Sequence, residues 1–472
     1  MTFPALDALI GRVKRSAVDA YFNSFEYWRV EDNRYIYGYG GELVTGTVYG
    51  LTAPNDQGEG GFEVLDPSDN GNADPITYRK FIEKAKQIMA HVDDVLGRWR
   101  SLPDPADLDN AKRLCDEVYS YLANQVIQGD TEEQGKTPVA EGKISAQLQK
   151  ANSIAETQLF GSGMYSFKNN FLFRMQDIMN NLGGVSRVVE TALVVERGAL
   201  ESAREAILEI ATQAKESFAA AASQPHEELT PANVRIIAAG AAAIGTIASG
   251  GTAWVVGAGL VALAAGAIAD AMEVKVEPAP EGFSAVMTNM EMALKEANKQ
   301  LKGIEETIRY NLITNEIKMG VNKQSFDLDY PIVHHEDVDQ TDRRGATNSR
   351  NTELKIGEIP AVREIAEVTF PSVASMMNAL AETVSGFKVP LRRAGGVGYG
   401  DSGPMSDFYA INDRLVGLIR DLAEDIQLGA HTLNVVLDSY EDIDYQSAKE
   451  MDSKMAEYEA QASASDPWRR KK

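Results

Sequence analysis

The sequence predicts a mainly α-helical protein: an elongated helical bundle with a central Ala/Gly-rich hydrophobic helical hairpin. Two observations predict this class. Apolar residues recur at spacings of three and four along most of the 472 residues, as on one face of a helix. One stretch, residues 236–269, has 34 residues without a charge, and 13 Ala and 7 Gly fill most of it. A small irregular or β-hairpin insert is expected near the N-terminus, where the helical spacing is interrupted.

Composition excludes several classes of function. The chain has 46 Lys and Arg against 69 Asp and Glu, a net charge of −23. Nucleic acid is therefore not an expected partner, because binding to phosphates needs a basic face. The single cysteine, Cys115, excludes an internal disulfide framework and a cysteine-rich zinc site. The first residues lack the pattern of a secretory signal peptide, so export would need another route.

The N-terminal region is assigned to residues 1–77. A first helix is predicted from Ala5 to Trp28, because Pro4 is well suited to a helix start. Residues 29–75 then place β-branched and aromatic residues around Gly pairs and turn clusters, which indicates a hairpin or an ordered loop.

A helical hairpin is predicted over residues 78–128, with helices at about 78–99 and 105–127 and Cys115 on the apolar face of the second. A polar linker follows. Residues 144–319 are predicted to form a long-helix body, with breaks near 161–164 and 180–186. Its last helix begins near Phe283, and its expected core positions are Val286, Met290, Met292, Leu294, Leu301, Ile304 and Ile308.

The uncharged segment 236–269 is predicted to fold back at residues 249–252. One straight helix of this length would span about 51 Å, more than the roughly 30 Å hydrocarbon core of a bilayer. Small residues recur at four-residue spacing, which lets helix backbones approach closely. Two hypotheses stay open: a hairpin that meets membrane lipid, and a hairpin covered by the neighbouring helices. The predicted packing or membrane-contact residues are Gly240, Gly245, Gly250, Gly251, Trp254, Gly257, Gly259 and Gly266.

Catalytic chemistry is not predicted. His334 and His335 precede several acids and could offer metal ligands, but adjacent loop residues rarely converge, so a solvated acidic loop is favoured. Residues 400–404, Gly-Asp-Ser-Gly-Pro, superficially match a protease nucleophile loop, yet they lie in a predicted link between helices. We therefore expect no enzyme activity, no cofactor and no metal.

The C-terminal part consists of a polar linker, residues 320–358, and a two-helix unit, residues 359–461. The helices are predicted at about 361–386 and 406–461, joined by a Gly-rich link. Near the end of the second helix, Tyr440 and Asp444 form a Tyr-x-x-x-Asp pattern. Together these features resemble the WXG superfamily of type VII secretion substrates, in particular an actinobacterial branch without a strict Trp-x-Gly turn.

This resemblance covers about a fifth of the chain and implies an exported protein. It implies that Tyr440 and Asp444 are the export signal, recognised by secretion machinery or a chaperone. On a helix the two side chains lie one turn apart on the same side. The expected location is then outside the cell or in the cell envelope. A role in virulence is one that the resemblance implies.

Three hypotheses for function follow. The leading one is a non-enzymatic helical protein exported by a type VII-like system, which acts by binding a protein or by inserting its hydrophobic hairpin into a membrane. The second is a component of an α-helical pore-forming toxin, which predicts homo-oligomers and contact with membrane lipid. The third is an intracellular helical scaffold, which predicts a cytoplasmic location.

Overall fold

The computed structural model of the chain is mainly α-helical, so the predicted helical class is confirmed. It describes residues 3–37, 50–65, 75–122, 143–160, 167–223, 283–328 and 355–465. The predicted hairpin at 236–269 and most of the linker 320–358 lie outside the described residues.

Long helices account for most of the described chain. The helices are α1 (Pro4–Asn23), α2 (Pro75–Gly97), α3 (Asp109–Leu122), α4 (Lys143–Gln158), α5 (Arg174–Ser223), α6 (Phe283–Val321), α7 (Ile359–Glu364), α8 (Phe370–Ser385) and α9 (Met405–Ser465). The strands are β1 (Trp28–Glu31), β2 (Arg34–Tyr37), β3 (Gly50–Thr52), β4 (Val64–Leu65), β5 (Leu159–Phe160) and β6 (Lys355–Ile356).

The chain forms two compact units, each assembled from three separate stretches of sequence. Unit 1 comprises residues 1–115, 187–317 and 387–412. Unit 2 comprises residues 116–186, 318–386 and 413–472. Segments far apart in sequence therefore share one core in each unit.

In unit 1, a small antiparallel sheet follows α1, as the prediction of a β-hairpin or ordered insert allowed. The strand order is β1-β2-β3-β4, with Trp28 opposite Tyr37 and Tyr35 opposite Leu51. Aromatic and β-branched residues favour these strands because they pack well on a pleated surface. The predicted first helix is too long, since α1 ends at Asn23 and Trp28 already pairs in β1.

An aromatic cluster joins α1 to this sheet. The ring of Phe22 stacks on Tyr35 with centroids 4.0 Å apart, and Trp28 meets Phe22 edge-on at 4.8 Å. The Tyr35 hydroxyl donates to Asp19 Oδ1 over 2.8 Å, and Arg15 Nε donates to the same carboxylate. Burial raises the pKa of Tyr35 above its ordinary range. The polar bonds satisfy groups that the aromatic core would otherwise leave unpaired.

The long helices differ from prediction at two points. The break expected near 180–186 is absent, because α5 continues through Gly183 and Gly184. Both glycines are buried, and packing overrides their weak helix propensity. In α6, the predicted core positions are buried except Met292, which is 39% exposed. The predicted core placement of Cys115 is confirmed.

In unit 2, a π-helical turn, Ile365–Thr369, joins α7 to α8. Pro371 lies two residues after the end of this turn, and proline has no N–H to donate to the carbonyl of Glu367 four residues earlier. Its ring would also clash with that carbonyl in a regular helix. The wider turn accommodates the proline without ending the helix.

A second π-helical turn, Lys168–Phe173, brings Phe171 against two other elements of unit 2. The rings of Phe171 and Phe370 meet edge-on with centroids 5.8 Å apart. A Cβ on Gly429 of α9 would lie only 2.1 Å from the Phe171 ring. The absence of a side chain at Gly429 therefore lets the ring approach the α9 backbone.

We expect Gly429→Ala to destabilise unit 2 by about 1–3 kcal/mol, because the methyl group would overpack the Phe171 ring. Gly417→Ala is the matched control, since it lies on the same helix and nothing lies within 4 Å of its new methyl group. That control should gain up to about 1 kcal/mol from better helix propensity. Chemical denaturation followed by circular dichroism measures both. Equal effects of the two substitutions would contradict the packing argument.

Candidate functional site

Two features of the described residues are unusual enough to be candidates for function. One is a group of ionisable side chains in the core of unit 1. The other is the exposed end of α9 in unit 2, which carries the predicted export residues. For each feature, the contacts and the burial of its side chains indicate whether it stabilises the fold or is open to another molecule.

The buried group consists of Glu305 on α6, Arg393 in the link between α8 and α9, and Glu196 on α5. The side chains of Glu305 and Arg393 form an ion pair and have no exposed surface. Arg393 Nε also donates to the carbonyl of Val397 over 2.9 Å, and Tyr399 N donates to Glu305 Oε2 over 2.5 Å. The ion pair thus holds the link onto α6.

Glu196 brings a second carboxyl group to the same place. Its side chain is fully buried, and its oxygens meet no hydrogen-bond donor among the described residues. Burial raises the pKa of Glu196 well above its ordinary value, and the charge of nearby Glu305 raises it further. Both effects favour the protonated form of Glu196, which can donate a hydrogen bond to Glu305. With Glu196 neutral, Arg393 balances the one remaining carboxylate of this group, that of Glu305.

The glycines of the link follow from this pair. A Cβ on Gly398 would lie 2.4 Å from Glu305 Oε2, and one on Gly403 would lie 2.9 Å from the Arg393 guanidinium. Both residues also have positive φ, which glycine adopts without cost. Gly398 N donates to Asn298 Oδ1 over 2.6 Å. The close approach of the ion pair therefore accounts for the glycines at positions 398 and 403 of the link.

Glu196→Gln should keep the fold, because its amide can donate to Glu305 as the protonated acid does. In the unfolded chain Glu196 ionises above about pH 4.5, whereas in the folded chain burial raises its pKa. Rising pH therefore favours unfolding of the wild type by up to about 1.4 kcal/mol per pH unit, until the folded-state pKa is passed. We expect the variant to lack this loss. Denaturation at about pH 5 and about pH 7 tests it, and a constant difference between the two proteins would contradict it.

Gly398→Ala should cost more stability than Gly400→Ala. Both residues have positive φ, so each substitution costs about 1–2 kcal/mol in backbone strain. Only at Gly398 does the new methyl group meet the buried ion pair, since nothing lies within 4 Å of it at Gly400. The difference in unfolding free energy between the two variants therefore measures the cost of the contact between the new methyl group and the ion pair. Equal losses would show that backbone strain alone explains the glycine at 398.

A surface groove of about 470 Å³ lies between α2 and α6 in unit 1. At its side, His91 Nε2 and Glu291 Oε1 are 2.5 Å apart, and both side chains are about half exposed. No group of three or more potential metal ligands occurs among the described residues. His334 and His335, the sequence candidates for metal binding, lie outside them.

The end of α9 has a different character. Leu433 and Leu437 are the last buried residues among those of the helix whose burial is described. Beyond them, residues 438–457 continue the same helix and are named here the C-terminal arm. Its large apolar side chains are exposed, with 66% of Ile443, 67% of Met451 and 57% of Met455 open to solvent. These apolar side chains therefore lie outside the packed part of α9.

The base of the arm is held by Arg363 of α7. Its guanidinium donates to Asp438 Oδ1 over 3.0 Å and pairs with Glu441 Oε2 at 2.9 Å. Hydrogen bonds to Asp438 and then to Glu441 raise the pKa of Arg363. Both acids belong to the first turn of the arm, so these bonds fix the direction in which it leaves the packed helices of unit 2.

Both predicted export residues, Tyr440 and Asp444, lie on the arm, one helical turn apart. Tyr440 is half-buried. The predicted hairpin residues, from Gly240 to Gly266, lie outside the described residues. Within the described helices, none is both long and apolar enough to cross a membrane.

The same spacing occurs at Tyr409 and Asp413, but there the tyrosine is part of the fold. The Tyr409 hydroxyl accepts a hydrogen bond from Val389 N over 3.2 Å, and its ring meets Phe387 edge-on. At Tyr27 and Glu31 the tyrosine ring meets Tyr37 and the acid pairs with Arg29 and Arg34. Structural context thus distinguishes the arm from these two copies of the pattern.

Sequence reasoning did not identify Glu196, Glu305 or Arg393. A signal existed for one of them, because Glu196 lies at helical spacing between the apolar residues Leu193 and Leu200 on α5. No known family model, curated protein or solved structure matches this chain.

Proposed function

We propose that this chain is a substrate of a type VII-like secretion system and that the C-terminal arm is its export signal. The observation that carries the proposal is the placement of Tyr440 and Asp444 on a helical extension whose apolar side chains are exposed. A receptor could therefore bind the arm without unfolding either unit. The exported protein would act outside the cell or in the cell envelope by binding another protein.

Helical spacing supports this role. Because the residues are four positions apart, an aromatic ring and an acid occupy neighbouring places on one side of the arm. The ring offers a large contact area, and the acid offers a charged group for a matching cation. The partner would be the secretion machinery or a chaperone that delivers the chain to it.

Tyr440→Ala should abolish export while leaving the folded units intact. The full chain is expressed in a bacterium with a type VII secretion system, and its amounts in cells and culture medium are compared. Tyr445→Ala is the matched control, because Tyr445 lies on the same arm, is 66% exposed and is followed four residues later by Lys449 instead of an acid. We expect the control to be exported normally.

Asp444→Asn gives a second measurement, since it removes only the charge. Circular dichroism and denaturation of each purified variant show whether folding has changed. Export of Tyr440→Ala and Asp444→Asn at the wild-type level would overturn the proposal. An equal loss in Tyr445→Ala would also overturn it, because the signal would then not be the Tyr-x-x-x-Asp pair.

A further inference from the structure

The C-terminal arm has an apolar side that extends beyond the Tyr-Asp pair. At 3.6 residues per turn, Tyr440, Ile443, Met451 and Met455 fall on one side of the helix. The same side contains Leu433 and Leu437, which are buried in the packed part of α9. Large apolar residues therefore recur on this side over about four further turns, with Asp444 and Ser447 between Ile443 and Met451.

Acidic residues border this stripe on both sides. Glu450 and Glu457 fall on one border, and Glu441 and Asp452 fall on the other. Over residues 442–457 there are five acids against Lys449 and Lys454. A surface that covers the stripe must therefore meet negative charge along both of its edges.

We infer that the arm docks through Tyr440, Ile443, Met451 and Met455 into an apolar groove of a protein partner, rimmed by Lys and Arg. This inference rests on the proposed export function and extends the recognised surface about three turns beyond Asp444, to Met455. Charge complementarity favours a partner with a basic rim, because acids lie along both edges of the apolar side of the arm. A second copy of the arm would bring acids against acids, and an anionic membrane surface would repel them.

Methionines suit such a docking surface. Met side chains are unbranched and polarisable, so they adapt to the shape of a groove. Their exposure in the free chain means that covering them removes apolar surface from water, which favours association. The helix is already formed in the free chain, so little conformational entropy is lost when it binds.

The test uses the full chain and a defined probe. The probe is a labelled helical peptide of about three heptads with Leu at positions a and d and Lys at e and g. Its counterpart carries Glu at e and g. Fluorescence anisotropy should show at least tenfold tighter binding of the Lys peptide, and the Met451→Gln/Met455→Gln variant should bind it at least tenfold more weakly.

Glutamine is chosen because its helix propensity is close to that of methionine, so the arm stays helical. Leu428→Gln/Val435→Gln is the matched control, since both residues are exposed on the packed part of α9. It should bind the Lys peptide like the wild type. Equal binding of the two peptides, or unchanged binding by the methionine variant, would overturn the inference.

Two further outcomes would assign the stripe to another occupant and so overturn the inference. One is dimerisation in sedimentation equilibrium that the methionine variant abolishes. The other is flotation with phosphatidylglycerol vesicles that depends on the same methionines. These measurements need no export, so their failure is distinct from normal export of Tyr440→Ala, which would remove the proposed function instead.

Discussion

The buried ion pair between Glu305 and Arg393 is the constraint on which the core of unit 1 depends. A charge removed from water is costly unless an opposite charge and further hydrogen bonds replace the lost hydration. Here the carbonyl of Val397 and the backbone N–H of Tyr399 complete that replacement. Because these groups belong to the link between α8 and α9, the link cannot move away without exposing an unpaired charge. The same condition requires that Glu196 stay neutral.

The second constraint is the close approach of neighbouring segments to a helix backbone. In both units a glycine makes this approach possible. In unit 1, a Cβ on Gly11 of α1 would lie 2.6 Å from the backbone oxygen of Gln57, so the loop before β4 rests directly on the helix. In unit 2, the absence of a side chain at Gly429 lets the ring of Phe171 contact the backbone of α9. Side chains at these positions would separate elements whose contact closes each core. Gly11 and Gly429 are therefore packing residues, although glycine has a weak helix propensity.

The helical class and most helix positions were predictable because amphipathic spacing is a local property of the sequence. The start of α6 at Phe283 and the extent of α9 follow from it. The continuity of α5 through Gly183 and Gly184 could not be predicted from this spacing. It depends on the burial of the two glycines, and burial depends on segments that are distant in sequence. Glu305 and Arg393 are separated by 88 positions, so no local pattern pairs them. The Tyr-x-x-x-Asp pattern was visible in sequence, whereas the exposure of its neighbours came only from the fold.

The arm can be helical without packing because it continues a helix that is already formed. The unfavourable step in helix formation is the first turn, and short isolated helices are marginal in water for that reason. The packed part of α9, with Leu433 and Leu437 in the core, supplies that nucleus, and Arg363 holds the next turn. Each further residue then adds a hydrogen bond with no new nucleation. This arrangement fixes the spacing of Tyr440 and Asp444 while leaving Met451 and Met455 uncovered. A helix stabilised by packing along its whole length would bury the same apolar side chains, so partial packing is what leaves them exposed.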